Sequence, residues 1–377
     1  MQKRLLTRSL AAAGTLCALT LATAVPAFAA EPSTVEQDVD ALYQNVVDLY
    51  GSIPASALKG IDPLIDSPVD HIGKKQANAA QGPIPGCTEG ALLQYADKAA
   101  SELTPVEGKA FDALSALGQL YAEGVASDKT PQVFGTDGQY TQRASATIGK
   151  LRGFWDIESW NIQLVAWKGT DLGSQDKMAQ TYGVGFDPAR AKEAAALTSK
   201  VLYELPALQG GRNPLLTLNA FSAPANDIGG KRVALGDGIL DVTKSLGFDD
   251  VSVEAVLGHE YGHQLDFAHN NFPGNESGEM GPDAYGGYFV AHAKGEVFDA
   301  RAQQEVTYLN ASIGDCFHSH GTPDQRKAAG AWGEQQATSQ GNPNKIVPSA
   351  TMVTKFQKEY PKLVPSDDQA QLAAAHS

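Results

Sequence analysis

The sequence predicts an α+β fold that is mainly helical, with a small sheet and an N-terminal helical region. Apolar residues recur three and four positions apart over residues 31–51 and 91–125, which is the spacing of one helical face. Strand-like runs are short and lie at residues 215–221 and 231–235. Residues 253–267 are again helical in pattern and carry the most distinctive side chains of the chain.

Residues 1–30 have the features of a secretory signal peptide. Lys3, Arg4 and Arg8 precede a weakly apolar stretch, and Ala27-Phe28-Ala29 fits a small-x-small cleavage site. No later stretch is apolar for long enough to span a bilayer. We therefore expect a secreted, extracellular protein with no membrane span, and we leave the signal peptide out of the fold.

The charge of the chain argues against a nucleic-acid partner. The full sequence has a formal net charge of -14. The predicted signal peptide holds three basic residues and no acidic ones, so its removal changes the charge from -14 to -17. Nucleic-acid binding needs clustered Lys and Arg, whereas this balance is consistent with a soluble extracellular protein.

We divide the mature chain into two regions. Residues 31–150 form an N-terminal helical region without recognisable chemistry, which is a candidate for a substrate-binding lobe, a lid or a removable pro-segment. Residues 151–377 form the domain that contains the motifs described below. Prolines and glycines interrupt the pattern at residues 52–86, which predicts a loop or linker.

Two cysteines, Cys87 and Cys316, remain after removal of the signal peptide. An even count in an oxidising compartment predicts one disulfide, and the alternative is two separate buried thiols. A bond between them would hold the N-terminal region close to His318 and His320.

A change of pattern after Asn213 predicts the small sheet. Leu215 to Phe221 and Lys231 to Leu235 have the composition of strands, and a turn-rich connection separates them. A short helix is expected at residues 237–246. The next helix follows directly, so an edge strand of the sheet should border it. An exposed edge strand can pair with an extended peptide through main-chain hydrogen bonds.

The helix predicted next carries an H-E-x-x-H motif, His259-Glu260-Tyr261-Gly262-His263. Residues four apart share one helical face, so His259 and His263 can direct two imidazoles at one metal ion. Glu260 lies about 100° further round the helix and can face a water molecule on that ion. Zinc suits this arrangement, because catalytic zinc sites use three protein ligands and one water. The glycine before each histidine predicts close packing against another backbone.

Glu279 is the leading candidate for the third zinc ligand. Glu279 and Asp283 are four residues apart and share a face if a helix begins here. One carboxylate can bind zinc, while the other accepts the far N–H of a zinc-bound histidine and fixes its tautomer. Pro282, between them, is compatible with a first helical turn.

His269 is the rival ligand. It lies ten residues after His259, which is the spacing of the H-E-x-x-H-x-x-G-x-x-H zinc enzymes. That pattern needs a glycine at the seventh step, and Asp266 stands there instead. Glu276, Asp283 and His292 are further candidates, so the residue pattern alone leaves the third ligand open.

Several motifs together resemble a known group, the neutral zinc metallopeptidases of bacteria, which are gluzincins. The motifs that carry the resemblance are Asn219-Ala220-Phe221, Gly236 to Leu240, His259 to His263, Glu279 to Tyr288, and His320 to Arg326. The resemblance implies a zincin-like fold, with zinc held by His259, His263 and Glu279. It also implies that Glu260 is the catalytic base and that Asp283 supports a ligand. It does not extend to residues 31–150.

A second cluster of polar residues supplies candidates for binding the oxyanion. A peptide-cleaving zinc site benefits from a hydrogen-bond donor aimed at the developing negative charge. His320 fits by its place in the resembling motif, although it could equally be a loop histidine; Tyr285 and Tyr288 are alternative donors. Arg326 can pair with a nearby carboxylate. His318 and His320 could also bind a second metal.

These observations predict a secreted zinc peptidase that acts on peptide or protein substrates. Zinc would activate a water molecule, and Glu260 would accept its proton. An alternative is an extracellular binding or scaffold protein with a structural or vestigial zinc site. Hydrolysis of a non-peptide amide, for instance in the cell wall, is a third interpretation.

Overall fold

The computed structural model describes residues 34–54, 62–63, 84, 86–125, 131–273, 276–316 and 320–364. The predicted signal peptide, most of the predicted linker at 52–86, and His318 lie outside these ranges. Within them, no helix combines the length and the apolar character that a membrane crossing requires.

The described part of the chain is mainly helical, as predicted, and it contains a small sheet. Its α-helices are α1 Thr34–Ser52, α2 Ala91–Ser101, α3 Pro105–Gly124, α4 Thr141–Phe154, α5 Gln175–Tyr182, α6 Pro188–Glu204, α7 Asp237–Ser245, α8 Ser252–Ala268, α9 Ser277–Ala291, α10 Ala300–Ser312, α11 Pro323–Thr338 and α12 Ser349–Leu363. Its strands are β1 Asp62–Pro63, β2 Gln163–Trp167, β3 Ala220–Ala223 and β4 Arg232–Gly236. The α+β class is therefore confirmed.

The sheet has the order β1-β3-β4-β2. Strands β3 and β4 form an antiparallel hairpin, β2 runs parallel to β4, and β1 is antiparallel to β3. Strand β3 packs on the H-E-x-x-H helix α8, where Ser222 Oγ donates a hydrogen bond to the carbonyl of Glu260. The bordering strand is β3, which is not at the edge of the sheet as predicted, because β1 pairs with its outer side.

The strand predicted at Leu215 to Phe221 is wrong over its first part. Pro214–Thr217 forms a 3₁₀ turn, and the strand begins at Ala220. The reason is local, since Pro214 occupies the first helical position and the Asn213 side chain accepts a hydrogen bond from the backbone N–H of Leu215. The strand β2 was not predicted, because its residues lie in a stretch of mixed pattern.

The hydrophobic core continues from the N-terminal helices into the rest of the molecule. Leu42 of α1, Leu114 of α3, Val233 of β4 and Leu257 of α8 are all fully buried in one cluster. Residues 150 and 151, where the two predicted regions meet, both lie within α4. The division of the mature chain at that point stays a prediction.

Candidate metal centre

Helix α8 approaches helix α9 backbone to backbone at the two glycines of its motif. A Cβ placed on Gly262 would lie 2.6 Å from Cα of Pro282, and one on Gly258 would lie 3.2 Å from Cα of Gly286. Any side chain at Gly262 would therefore force the helices apart. This close packing, which the sequence predicted, carries the first turn of α9 to the face of α8 that holds the two histidines.

Helix α9 begins earlier than expected from the prediction that Pro282 lies in its first turn. It starts at Ser277, so Pro282 lies in the second turn and not in the first. Pro282 has no N–H to donate to the carbonyl four residues earlier, but the helix continues through it. The earlier start gives Glu279 and Asp283 the same helical face, one turn apart.

His259, His263 and Glu279 converge as the only buried group of this kind among the described residues. His259 Nε2 lies 3.2 Å from His263 Nε2 and 3.2 Å from Glu279 Oε2. His263 Nε2 lies 3.7 Å from Glu279 Oε1. One ligand atom of each residue lies within 4.8 Å of the other two, and the group could hold a metal ion.

Asp283 and Arg326 fix the orientation of His259. His259 Nδ1 lies 2.8 Å from Asp283 Oδ1. Arg326 donates to both oxygens of the same carboxylate, at 2.8 Å from Nε and 3.0 Å from Nη2. Because a carboxylate held by a guanidinium accepts and does not donate, we assign the imidazole proton to Nδ1. The lone pair of His259 then lies on Nε2, the nitrogen that faces the other two ligands.

Two features bring Arg326 to this position. The start of α11 is a capping box, in which Thr322 and Gln325 each accept a hydrogen bond from the other's backbone N–H. Helices α9 and α11 then pack closely, since a Cβ on Gly333 would lie 1.9 Å from the carbonyl oxygen of Ala284. The Arg326 side chain is fully buried as a result.

The donor set fits a cation. Both carboxylate oxygens of Glu279 are buried, and neither accepts a hydrogen bond from any described residue. They lie 3.2 Å from His259 Nε2 and 3.7 Å from His263 Nε2, so a positive charge, carried by a proton or a metal ion, is needed between these atoms. Such a buried group is costly unless a positive ion occupies its centre. Two imidazole nitrogens and one carboxylate oxygen are a donor set that zinc prefers.

The electrostatics point in the same direction. Burial would lower the pKa of His259, but the Asp283 and Glu279 carboxylates raise it to about 9. Burial lowers the pKa of His263 to about 4, so that imidazole is neutral and able to ligate. Burial would raise the pKa of Glu279, yet the neighbouring imidazoles hold it well below its usual value. The centre thus favours positive charge next to an ionised Glu279.

Glu260 follows the first ligand directly, and its side chain is fully buried. Its backbone carbonyl accepts the hydrogen bond from Ser222, so the position of this turn of α8 is tied to β3. The predicted role of Glu260 as a base stays a prediction.

His320 lies close to the centre, and Asp315 positions it. The backbone N–H of His320 donates to Asp315 Oδ2 at 3.1 Å, and its Nδ1 lies 3.6 Å from the same oxygen. The charge of His320 also contributes to the lowered pKa of Glu279. Sequence reasoning missed Asp315, since nothing in a loop sequence marks a carboxylate that folds back onto a histidine five residues later.

The alternative donors and ligands are engaged elsewhere. Tyr285 donates to Asp266 at 3.3 Å, and the Tyr288 hydroxyl accepts from the backbone N–H of Val347 at 2.9 Å. The rival ligand His269 hydrogen-bonds Ser349 Oγ at 2.7 Å through its Nε2.

The other candidate ligands also lie outside the converging group. Glu276 accepts from the Tyr360 hydroxyl at 2.9 Å. His292 accepts from the backbone N–H of Lys294 through its Nδ1, at 3.0 Å.

The predicted pairing of Cys87 and Cys316 is present, with their Cα atoms 5.7 Å apart. The backbone N–H of Ile84 also donates to the carbonyl of Cys316 at 3.0 Å. These contacts join the segment just before α2 to Cys316, which directly follows Asp315. The N-terminal region is therefore covalently held near His320, as the sequence predicted for this pair.

No family model, curated protein or solved structure matches the chain. The resemblance to the gluzincins therefore depends on the motifs, and the site is interpreted below from its own geometry.

Proposed function

We propose that this protein is a secreted zinc-dependent peptidase. The observation that carries the proposal is the convergence of His259, His263 and Glu279 beside a buried Glu260. A structural role for an ion would need the three ligands but not an acid next to them. The motif order that resembles the gluzincins supports the same conclusion.

His259, His263 and Glu279 would hold the ion, and Asp283 with Arg326 would keep His259 in the ligating tautomer. A zinc ion bound there supplies Lewis acidity, which acidifies a water molecule and polarises a substrate carbonyl. The remaining steps belong to side chains of this protein.

Glu260 would accept the proton of the attacking water and pass it to the departing amine. His320 would donate a hydrogen bond to the oxyanion. Asp315 Oδ2 lies 3.6 Å from His320 Nδ1 and would orient the imidazole for that donation. Asp315 acts here as a positioning residue.

Two variants test this function with different outcomes. Glu260→Gln should keep zinc but lose about 10²–10⁴-fold in kcat, because the base is replaced by an amide of the same shape. His263→Ala should lose both zinc and activity. Metal analysis and cleavage of a peptide library, with and without chelator, measure the two effects. Equal cleavage by Glu260→Gln and the wild type would contradict the proposal.

A second candidate is an extracellular binding or scaffold protein with a structural or vestigial zinc ion. The burial of all three ligands favours it, although a structural zinc site usually has four protein ligands. A zinc-loaded protein that cleaves no member of a broad peptide library, while chelation lowers its stability, would support this candidate over the peptidase.

A further inference from the structure

Two hydrogen bonds and a disulfide hold the chain after α10 against the segment that precedes α2. The backbone N–H of Gly90 donates to the carbonyl of Gly314, and that of Ile84 donates to the carbonyl of Cys316, both at 3.0 Å. The disulfide joins Cys87, which lies between these two donors, to the same Cys316. A Cβ on Gly90 would lie 2.2 Å from the last backbone carbonyl oxygen of α10, so the two backbones touch. Cys316 is therefore fixed by a segment 229 residues earlier in the chain.

Asp315, which directly precedes Cys316, passes this support to His320. Its backbone N–H donates to the carbonyl of Gly321 at 3.0 Å. Its Oδ2 accepts from the backbone N–H of His320 at 3.1 Å and lies 3.6 Å from His320 Nδ1. Gly321 has a φ of +88°, a left-handed conformation that favours glycine, so the chain turns sharply after His320. The backbone and the imidazole of His320 thus both depend on the position of Asp315.

The position of His320 matters because its imidazole acts on the metal centre. The residue is only 7% exposed, and its charge is among those that act on Glu279, one of the three candidate ligands. A hydrogen bond weakens steeply when donor and acceptor are misaligned, and catalytic groups must be held within about 0.5 Å of the productive geometry. One carboxylate can hold the ring so closely only while the backbone of Asp315 is itself fixed.

We propose that the Cys87–Cys316 bond positions His320 for its role at the metal centre. Cys87 and Cys316 are positioning residues, since they act on His320 through Asp315. The segment just before α2 is then a permanent part of the site, and any removable pro-segment must end before Ile84. The ordering of His320 is independent of the reaction, whereas the effect on catalysis rests on the proposed peptidase function.

The first test measures the ordering of His320 without any cleavage. It compares the zinc-loaded wild type with Cys87→Ser/Cys316→Ser by NMR of the imidazoles, with the His320 signals assigned by their loss in His320→Gln. The wild type should give one sharp set of signals, and the double variant a broadened or shifted set. The Kd for zinc should change by less than about twofold, because the disulfide does not act on the ligands. Unchanged His320 signals would overturn the proposal.

Two controls separate positioning from a general loss of stability. Leu49→Ala truncates a fully buried side chain of α1, which packs against α3 and α6. It should destabilise the fold and leave the His320 signals as in the wild type; the same broadening in this variant would overturn the proposal. If the double serine variant does not fold, the folded wild type is reduced with a water-soluble phosphine. The phosphine becomes its oxide as the two sulfurs gain protons as thiols, and the same change in the His320 signals is expected.

Kinetics then show whether the disulfide acts through His320. His320→Ala should lower kcat by about 10²-fold and Cys87→Ser/Cys316→Ser by at least about tenfold. The triple variant should be no slower than His320→Ala, because both changes remove the same contact. Additive losses, or a change confined to KM, would overturn the proposal. A wild type that cleaves nothing would remove the peptidase function instead, and the NMR comparison would still decide whether the disulfide orders His320.

Discussion

Two buried clusters of charged side chains in this molecule differ in the partners of their carboxylates. Glu123 of α3 and Arg232 of β4 form an ion pair in which both side chains are almost fully buried. The metal centre is buried to the same degree, but there Nε and Nη2 of Arg326 donate to Asp283. Glu279 faces the Nε2 atoms of both histidines, and its Oε2 lies 3.7 Å from Arg326 Nη2. The first cluster pairs an acid directly with a base, whereas the second brings an acid together with two imidazoles in a group that could hold a cation.

The pKa shifts express this difference. Burial raises the pKa of Glu123 and lowers that of Arg232, so in this pair desolvation exceeds the mutual attraction. In the metal centre burial would also raise the pKa of Glu279, but the interactions with His263, His259 and His320 outweigh it and lower that pKa.

Withdrawal of zinc should have the largest effect on stability. At free zinc about 10,000 times the Kd, binding would contribute about 5 kcal/mol to the free energy of unfolding. Calorimetric unfolding with added zinc and with chelator measures the difference. The Glu123–Arg232 pair requires no ion, so identical transitions in the two conditions would mean that the metal centre is also complete without one.

Removal of either buried arginine should have the second-largest effect on stability. Arg326→Met and Arg232→Met should each lower the free energy of unfolding by about 3–5 kcal/mol, because each leaves a buried carboxylate without its partner. Only Arg326→Met should also weaken zinc binding. Glu123→Leu/Arg232→Met should recover most of the stability. Equal loss of zinc affinity in the two single variants would remove the distinction between the clusters.

Asp283→Asn should weaken zinc binding, and its effect should be smaller than that of the arginine variants. The amide no longer holds the His259 N–H as a carboxylate does, and such supporting contacts contribute about 10–100-fold to metal affinity. Competition with a zinc-binding dye gives the change in Kd. Asp237→Asn is the control, since Asp237 is buried but bonds Thr217 and not an imidazole. A similar loss in both variants would indicate a general effect of burial.

Asp266 supplies a third environment, a buried acid with neutral partners. Burial raises its pKa to about 8, while Asn271 and Tyr285 donate to it. The folded protein holds this proton more tightly, so its contribution to stability is present below about pH 4 and is lost as pH rises through 8. The loss should reach at most about 1.4 kcal/mol per pH unit.

Urea unfolding of the wild type and Asp266→Asn between pH 5 and 8 measures that contribution. The difference in free energy of unfolding should shift in favour of Asp266→Asn as pH rises, because the amide does not titrate. A difference that is independent of pH would show that Asp266 is already ionised at pH 5.

The sequence predicted the parts of this molecule that depend on local spacing. The histidines of α8 and the Glu279–Asp283 pair follow from the four-residue repeat of a helix. The parts it missed depend on distant partners or on single side chains. Strand β2 exists because it pairs with β4, and the 3₁₀ turn at residues 214–217 depends on one asparagine cap. The Glu123–Arg232 pair joins elements that only the tertiary fold brings together.

Metal analysis of the purified, zinc-loaded protein tests the central claim most directly. The account predicts one zinc ion per chain in the wild type and in His269→Ala, and none in His263→Ala or Glu279→Ala. A wild type that retains no zinc would contradict it. So would a Glu279→Ala variant that keeps its zinc while His269→Ala loses it.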